Sequence, residues 1–446
     1  MSVERTSSAA AVAVIDLGIL RDGPELPGRS PASRPLRRRA ASLLGVALVV
    51  LATAVTASPV RAALVERTFP SVPAMSDQPV VVDTTDGLYL VRPSRPEAGP
   101  GERTITRYGT ARPDEVWRVP VTTPGAVNSA DVVDGVLLVH AEGWQPETIA
   151  LRAADGRELW RRTGWWQEAG SGQLLLSYRA PDGRGDIYEA VALTTGAVRW
   201  SLSLSASGWV LRDRDRLVWW SVDGRVEVRD LRTGAVVSRG VLPREEHATA
   251  PQSQPGIQVA GGLLLVAGWD GDRPVVSAYG LDRLDPRWRA GIDLSIETVH
   301  GCGTALCVSR TNGRGGVRIV EPHTGRTRWA DGRWDYLLYA GPTLLAFGPP
   351  HGPSRIAAID PATGRQLGDL GRWQTPPALD PEGRILAVRT EPGTSRSWIA
   401  ELDPAARTTR VLGVADDAYA CRAGHTAVTC RRTGGTVGVW YPQRSK

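Results

Sequence analysis

Lysine is nearly absent from this chain of 446 residues: Lys446 is the single one, and Arg carries the positive charge. The Arg residues are scattered through turns and interleaved with Asp and Glu. The formal net charge of +6 is therefore not gathered into a basic stripe, and no nucleic-acid partner is expected. Catalytic signatures are missing too. There is no G-x-S-x-G with a plausible His and acid, no phosphate loop and no H-E-x-x-H. Cysteine is limited to Cys302, Cys307, Cys421 and Cys430, no two of them adjacent. No four-ligand Cys/His cluster at zinc spacing occurs, although His300 and His425 lie near the cysteines in sequence. The Asp-Gly stretches GDRPVV and DGRGDIY lack the spacing of an EF-hand loop. They read as solvated turns, and the Arg-Gly-Asp within GRGDI at 183–187 reads as a hairpin turn.

What the chain has is one phrase, repeated. Residues 149–160 read IALRAADGRELW, with Gly156 in a polar turn and Trp160 four residues later. Residues 190–200, AVALTTGAVRW, place Gly196 and Trp200 alike, and 317–329, VRIVEPHTGRTRW, place Gly325 and Trp329 alike. Weaker copies are VEVRDLRTGAVV (226–237, Gly234), VSAYGLDRLDPRW (276–288, Trp288), IAAIDPATGRQL (356–367, Gly364), IAELDPAARTTRV (399–411) and ITRYGTARPDEVW, which ends at Trp117. The copies end at 117, 160, 200, 237, 288, 329, 367 and 411, at intervals of 37 to 51 residues. A period near forty built of strands and turns predicts a radially repeated all-β protein, a β-propeller of four-stranded blades.

Each copy has a physical logic. The leading segment alternates apolar and polar, as a half-buried strand does. The Gly supplies a positive φ without steric cost. The Trp buries about 150–250 Å², at most about 4–6 kcal/mol at roughly 25 cal/mol/Å², and is expected to plug the gap between stacked blades. A continuously apolar strand precedes each copy, as in GVLLVHA, QLLLSYR and LLLVAGW. Eight copies argue for eight blades, with seven as the alternative. The apolar strands number nine once GLYLVRP at Gly87 is included, so the terminal strands are expected to share one blade.

The phrase of apolar strand, D-x-x-T-G and Trp resembles the tryptophan-docking repeat of the pyrroloquinoline-quinone-like (PQQ-like) propellers. That family includes quinoprotein alcohol dehydrogenases and a non-catalytic propeller lipoprotein of bacterial outer-membrane assembly. The resemblance covers roughly residues 80–441. It implies the fold, and for the enzymes a cofactor over the central channel held by Ca²⁺ ligands of Glu and Asn, a catalytic Asp, an Arg and a vicinal disulfide. This chain has no adjacent Cys pair and only Asn128 and Asn312. No catalytic, cofactor-binding or metal residue is therefore assigned, and neither PQQ nor Ca²⁺ is expected.

Residues 1–39 are rich in Ser, Ala, Pro and Arg and read as a disordered cytoplasmic tail, with one apolar island at 11–20. Arg37, Arg38 and Arg39 then precede an uncharged run from Ala40 to Val60. As a helix it would span about 31 Å, the thickness of a bilayer core. The positive-inside rule puts the N-terminus in the cytoplasm and the propeller outside. A cleaved signal peptide ending near Ala62 is the competing reading. Residues 61–79 form a linker, within which ALVERTF at 63–69 could supply the outer strand that the last repeat lacks and so close the ring. The propeller occupies 80–446. Outside the cytoplasm the four cysteines are expected to pair locally, Cys302 with Cys307 and Cys421 with Cys430; crossed pairs or a metal site are the alternatives.

The expected function is that of a membrane-anchored, extracytoplasmic, WD40-like propeller that binds or scaffolds a protein or cell-envelope partner without catalysis. A PQQ-dependent oxidoreductase and a sensor relaying to a cytoplasmic partner are the alternatives. The insertion PREEHATAPQSQPG at 243–256 is the candidate contact loop.

Overall fold

The computed structural model describes residues 64–69 and 80–443, apart from short stretches at 85, 94–100, 110–113, 171, 206–207, 244–255, 311–314, 350–353, 376–384 and 425. The tail, the apolar run from Ala40 to Val60, most of the 243–256 insertion, Asn312 and His425 lie outside the described residues. Among those described, every regular element is a strand, and no helix is long and apolar enough to cross a membrane.

The strands form nine antiparallel sheets among the described residues, eight of four strands and one of three. In chain order blades 1 to 8 span 80–122, 127–163, 165–205, 208–241, 257–290, 297–331, 336–373 and 385–415. Blade 8 has three strands, and Gln374 bridges to Val388 at the edge where a fourth would lie. Blade 9 is composite. Its strands Ala418–Ala423, Val428–Arg432 and Val437–Pro442 are completed by Leu64–Phe69, which runs antiparallel to the last of them from Leu64↔Pro442 to Phe69↔Val437.

The propeller therefore has nine blades, and the expectation of eight, or seven, is corrected. The repeat phrase marks the third strand, a tight turn and the outer strand of one blade. Blade 9 takes its outer strand from the other end of the chain, so no tight turn leads into that strand and no copy of the phrase exists there. Gly87–Pro93 is the second strand of blade 1, not part of the shared blade. Counting apolar second strands gives the blade number; counting Trp phrases misses one.

The second strands are continuously apolar because both of their faces are covered. Alternate residues point to opposite sides of a sheet, so Leu137 and Val139 pack toward blade 1 while Val136 and Leu138 pack toward blade 3. The same split recurs at Leu263/Leu265 and Leu264/Val266. Nine apolar clusters result, one for each blade interface. The closing one joins Leu88, Leu90 and Tyr108 of blade 1 to Val437, Val439 and Phe69 of blade 9. The interface of blades 3 and 4 is the thinnest, with Leu175, Leu217 and Leu231 as its fully buried members. First strands touch first strands of the next blade, as Val80–Thr84 touches Val127–Val133.

Because each blade runs up and down, the turns joining strands 1 to 2 and 3 to 4 emerge on one face of the ring. The turns joining 2 to 3, and the crossings from blade to blade, emerge on the other. These two faces are built from different chemistry.

Candidate functional site: two faces of one ring

On the face of the 3-to-4 turns, each repeat Trp docks on the glycine of the following blade, not on its own. An ideal Cβ on Gly156, Gly196, Gly234, Gly325 or Gly364 would meet Trp117, Trp160, Trp200, Trp288 or Trp329 respectively, at 2.6–2.7 Å. All five glycines have φ between +66° and +74°. Each indole Nε1–H donates to a backbone carbonyl of that same turn: Trp117 to Ala153 (3.1 Å), Trp160 to Leu193 (2.7 Å), Trp200 to Leu231 (3.1 Å), Trp288 to Pro322 (2.7 Å) and Trp329 to Pro361 (3.0 Å). Trp160 is 8% exposed; the other four are half-buried, less enclosed than a full plug between blades. The Gly makes room for the ring and the carbonyl holds its polar edge.

Two interfaces reverse the sizes. In blade 4 the strand pairing puts Ser238 where Trp200 stands in blade 3, and Ser238 Oγ donates to Leu281 O at 2.6 Å. The facing turn carries Leu284 at φ +55° in place of Gly, and its backbone N–H makes the same turn bond, to Gly280 O at 2.8 Å. In blade 7 the position is Gly368, against Arg407 at φ +60°. Large on small becomes small on large. The sequence phrases ending at 237 and 367 stop one residue short of these positions. Both disulfides, Cys302–Cys307 and Cys421–Cys430, bridge strands 1 and 2 on this same face, as expected from the sequence.

A cleft of about 580 Å³ also opens here between blades 1 and 2, beside Tyr89, Arg107, Asp86 and Asp134. The Arg107 Nη groups and the Tyr89 hydroxyl are already engaged. Arg107 donates to Asp86 O (3.0 Å) and Ala154 O (3.3 Å), and Tyr89 Oη donates to Ala153 O (3.3 Å). Burial raises the Tyr89 pKa, with Arg107 opposing, so the phenol stays protonated.

The opposite face is open. Trp144 (100% exposed), Trp165 (44%), Trp209 (40%) and Trp269 (40%) stand at its rim, one each from blades 2, 3, 4 and 5. Trp165 and Trp209 begin first strands, Trp269 ends a second strand, and Trp144 is in the 2-to-3 turn of blade 2. Tyr336 of blade 7 and Tyr419 of blade 9 are exposed on the same side. Of the markedly exposed aromatic side chains among the described residues, Tyr339 alone points to the other end of its strand. Two of the open-face rings rest on histidines, His140 buried and His300 half-buried. The ring of His140 lies 3.6 Å from that of Trp165, and His300 stacks under Tyr336 at 4.9 Å. Burial lowers the pKa of both, that of His140 to about 4, so both are neutral near pH 7. The repeat phrase contains none of these rings. Their signal in the sequence is a Trp or Tyr at a strand end out of register with the docking position.

A quinone–calcium site calls for clustered oxygen ligands. Among the described residues, one group of three His, Cys or carboxylate side chains brings its ligand atoms within 4.8 Å of one another: His300, Cys302 and Cys307. Both of its sulfurs are joined in the disulfide, His300 Nε2 lies 2.8 Å from Leu337 O, and Ca²⁺ takes oxygen ligands. The Asn128 amide donates to Glu142 at the exposed turn of blade 2. No chemical step is derived through PQQ.

No protein-family model and no curated protein matches the chain. Solved structures similar in fold include BamB from Moraxella catarrhalis (15% identity, 86% of this chain and 99% of that one, TM-score 0.39). A quinohemoprotein alcohol dehydrogenase from Pseudomonas putida matches at 12% identity over 74% and 76% of the two chains, with TM-score 0.41. The C-terminal WD40 domain of Sif2 matches at 8% identity over 85% and 99%, with TM-score 0.42.

Proposed function

We propose that the chain is a binding or scaffold module without catalysis, held at a membrane through residues 40–60 with the propeller outside the cytoplasm. Its partner, a protein or cell-envelope material, sits on the open face. The carrying observation is the division of the tryptophans: those of one face are docked on glycines and carbonyls, while those of the other present their rings to water. Two disulfides suit an oxidising compartment, and the Arg cluster before the apolar run suits an inside N-terminus.

The test is crosslinking in native membranes with a variant carrying Trp144→Ala, Trp165→Ala, Trp209→Ala and Trp269→Ala. The expected result is loss of the crosslinked partner while the variant still unfolds cooperatively from a folded propeller. An identical crosslinking pattern in the variant would overturn the reading. Calorimetric titration with PQQ and Ca²⁺ addresses the chemistry: saturable micromolar binding followed by dye-linked alcohol turnover would make the protein an enzyme.

A further inference from the structure

We infer that the open face over blades 2 to 5 takes a neutral polysaccharide chain, with Trp144, Trp165, Trp209 and Trp269 as its stacking platforms. The inference rests on the binding reading above and names the class of partner.

Three observations carry it. First, the four rings come one per blade from four consecutive blades, Trp165 and Trp209 on the innermost strands and Trp144 and Trp269 further out, so they follow one another around the ring. A ligand touching them in turn is an extended chain with a repeating flat face. Second, the turns between them carry charges of both signs at close quarters. Arg179 pairs with Asp186 (3.3 Å) and Asp223 with Arg225 (2.9 Å), while Asp270 and Asp272 are followed by Arg273. Local balance leaves no field of one sign to attract a polyelectrolyte. Third, polar Gly-Asp-Arg turns separate the rings. A protein partner draws on a contiguous apolar core with desolvated anchors, and here apolar platforms alternate with hydrogen-bonding groups.

A pyranose chain has the matching pattern. The C–H face of each ring lies flat on an indole, and its hydroxyls reach carboxylates, guanidiniums and amides at the edges. Trp144 is flanked by such a pair, since Asn128 Nδ2 donates to Glu142 Oε1 at 2.8 Å. Trp165 is built as a platform: His140 backs one face of the indole, and that histidine is 1% exposed with no hydrogen-bond partner on either ring nitrogen. The neutral ring beneath acts as a rigid apolar support and leaves the far side of the indole in water.

The test uses tryptophan fluorescence and calorimetry on the full chain in detergent. The probes are cellohexaose, maltohexaose, chitohexaose and mannohexaose, with polygalacturonate as the anionic control. At least one neutral hexasaccharide should bind at millimolar concentration or below, keep its affinity in about 0.5 M NaCl where charge attraction is screened, and weaken about tenfold in each of Trp165→Ala and Trp209→Ala. The inference is overturned if no neutral hexasaccharide binds, if binding survives all four Trp→Ala changes, or if only polygalacturonate binds and salt abolishes it. If the glycans fail while the fourfold variant still loses a crosslinked protein, the partner is a protein and the binding face stands. If the glycans fail and the crosslinks persist, both readings fall.

Discussion

The two faces of the ring use the same side chain for opposite ends. On the docking face Trp160 is 8% exposed, lies against Gly196 and donates to Leu193 O; on the open face Trp165, five residues later, is 44% exposed and rests on His140. A Trp left about 40% exposed keeps roughly 100 Å² in water, an unrealised stabilisation of about 2–3 kcal/mol. Residue type therefore does not separate structure from function in this chain. Position within the blade does: ring plus facing Gly plus carbonyl makes a joint, and ring at a strand end without that partner makes a surface.

The largest effect that would test the contrast is on Trp160. Trp160→Ala should destabilise the propeller by about 3–5 kcal/mol, as truncation of a large buried aromatic does, and Trp165→Ala by less, about 1–2 kcal/mol for the part of the ring that is already buried. Chemical denaturation of the two variants measures both; equal losses would erase the distinction between the faces. Next in size is the covalent reinforcement of the docking face. Replacing both cysteines of one pair by Ala should remove about 2–3 kcal/mol, the chain-entropy value for so short a loop, while leaving open-face ligand binding unchanged. Loss of that binding on reduction alone would show that the faces are coupled.

The reversed joint gives a sharper test. Ser238→Trp alone should overpack against Leu284 and lose about 1–3 kcal/mol. Adding Leu284→Gly should recover most of it by recreating the Trp-on-Gly arrangement. A double-mutant cycle reads the coupling, and additive losses would mean that the size exchange is coincidence.

A graded effect belongs to the open face and to pH. His140 and His300 have folded pKa values below the ordinary histidine value, because burial disfavours their charged forms. The unfolded chain then takes up protons first as pH falls. Stability should be full above about pH 6.5 and decline as pH falls, for His140 down to about pH 4. Melting temperatures from pH 8 to 4 check this, and His140→Phe should flatten part of the slope.

Much of the docking face was legible in the sequence, because its device is local. A Gly four residues before a Trp after an alternating strand announces a turn and a ring, and the cysteine pairs flank single turns. What remained hidden was the partner of each joint. Trp160 serves Gly196, one blade on, and Ser238 replaces Trp against Leu284; neither is visible until the blades stack. The closing strand at 63–69 was expected from the sequence, but blade 9 escaped the count for a related reason. Its outer strand Leu64–Phe69 lies at the far end of the chain from Val437–Pro442, and no turn sequence links them. The open face left the weakest trace, since exposure depends on what a neighbouring blade fails to cover.

The sequence by itself determined the strand content, the turns, the near-forty-residue repeat and the disulfide pairing, because each follows from alternation, positive-φ glycines or contacts a few residues apart. The tertiary structure alone decided that nine blades close the ring, which carbonyl each indole meets, and which tryptophans remain in water. Those outcomes depend on packing between blades and on joining the two ends of the chain, and local residue spacing encodes neither.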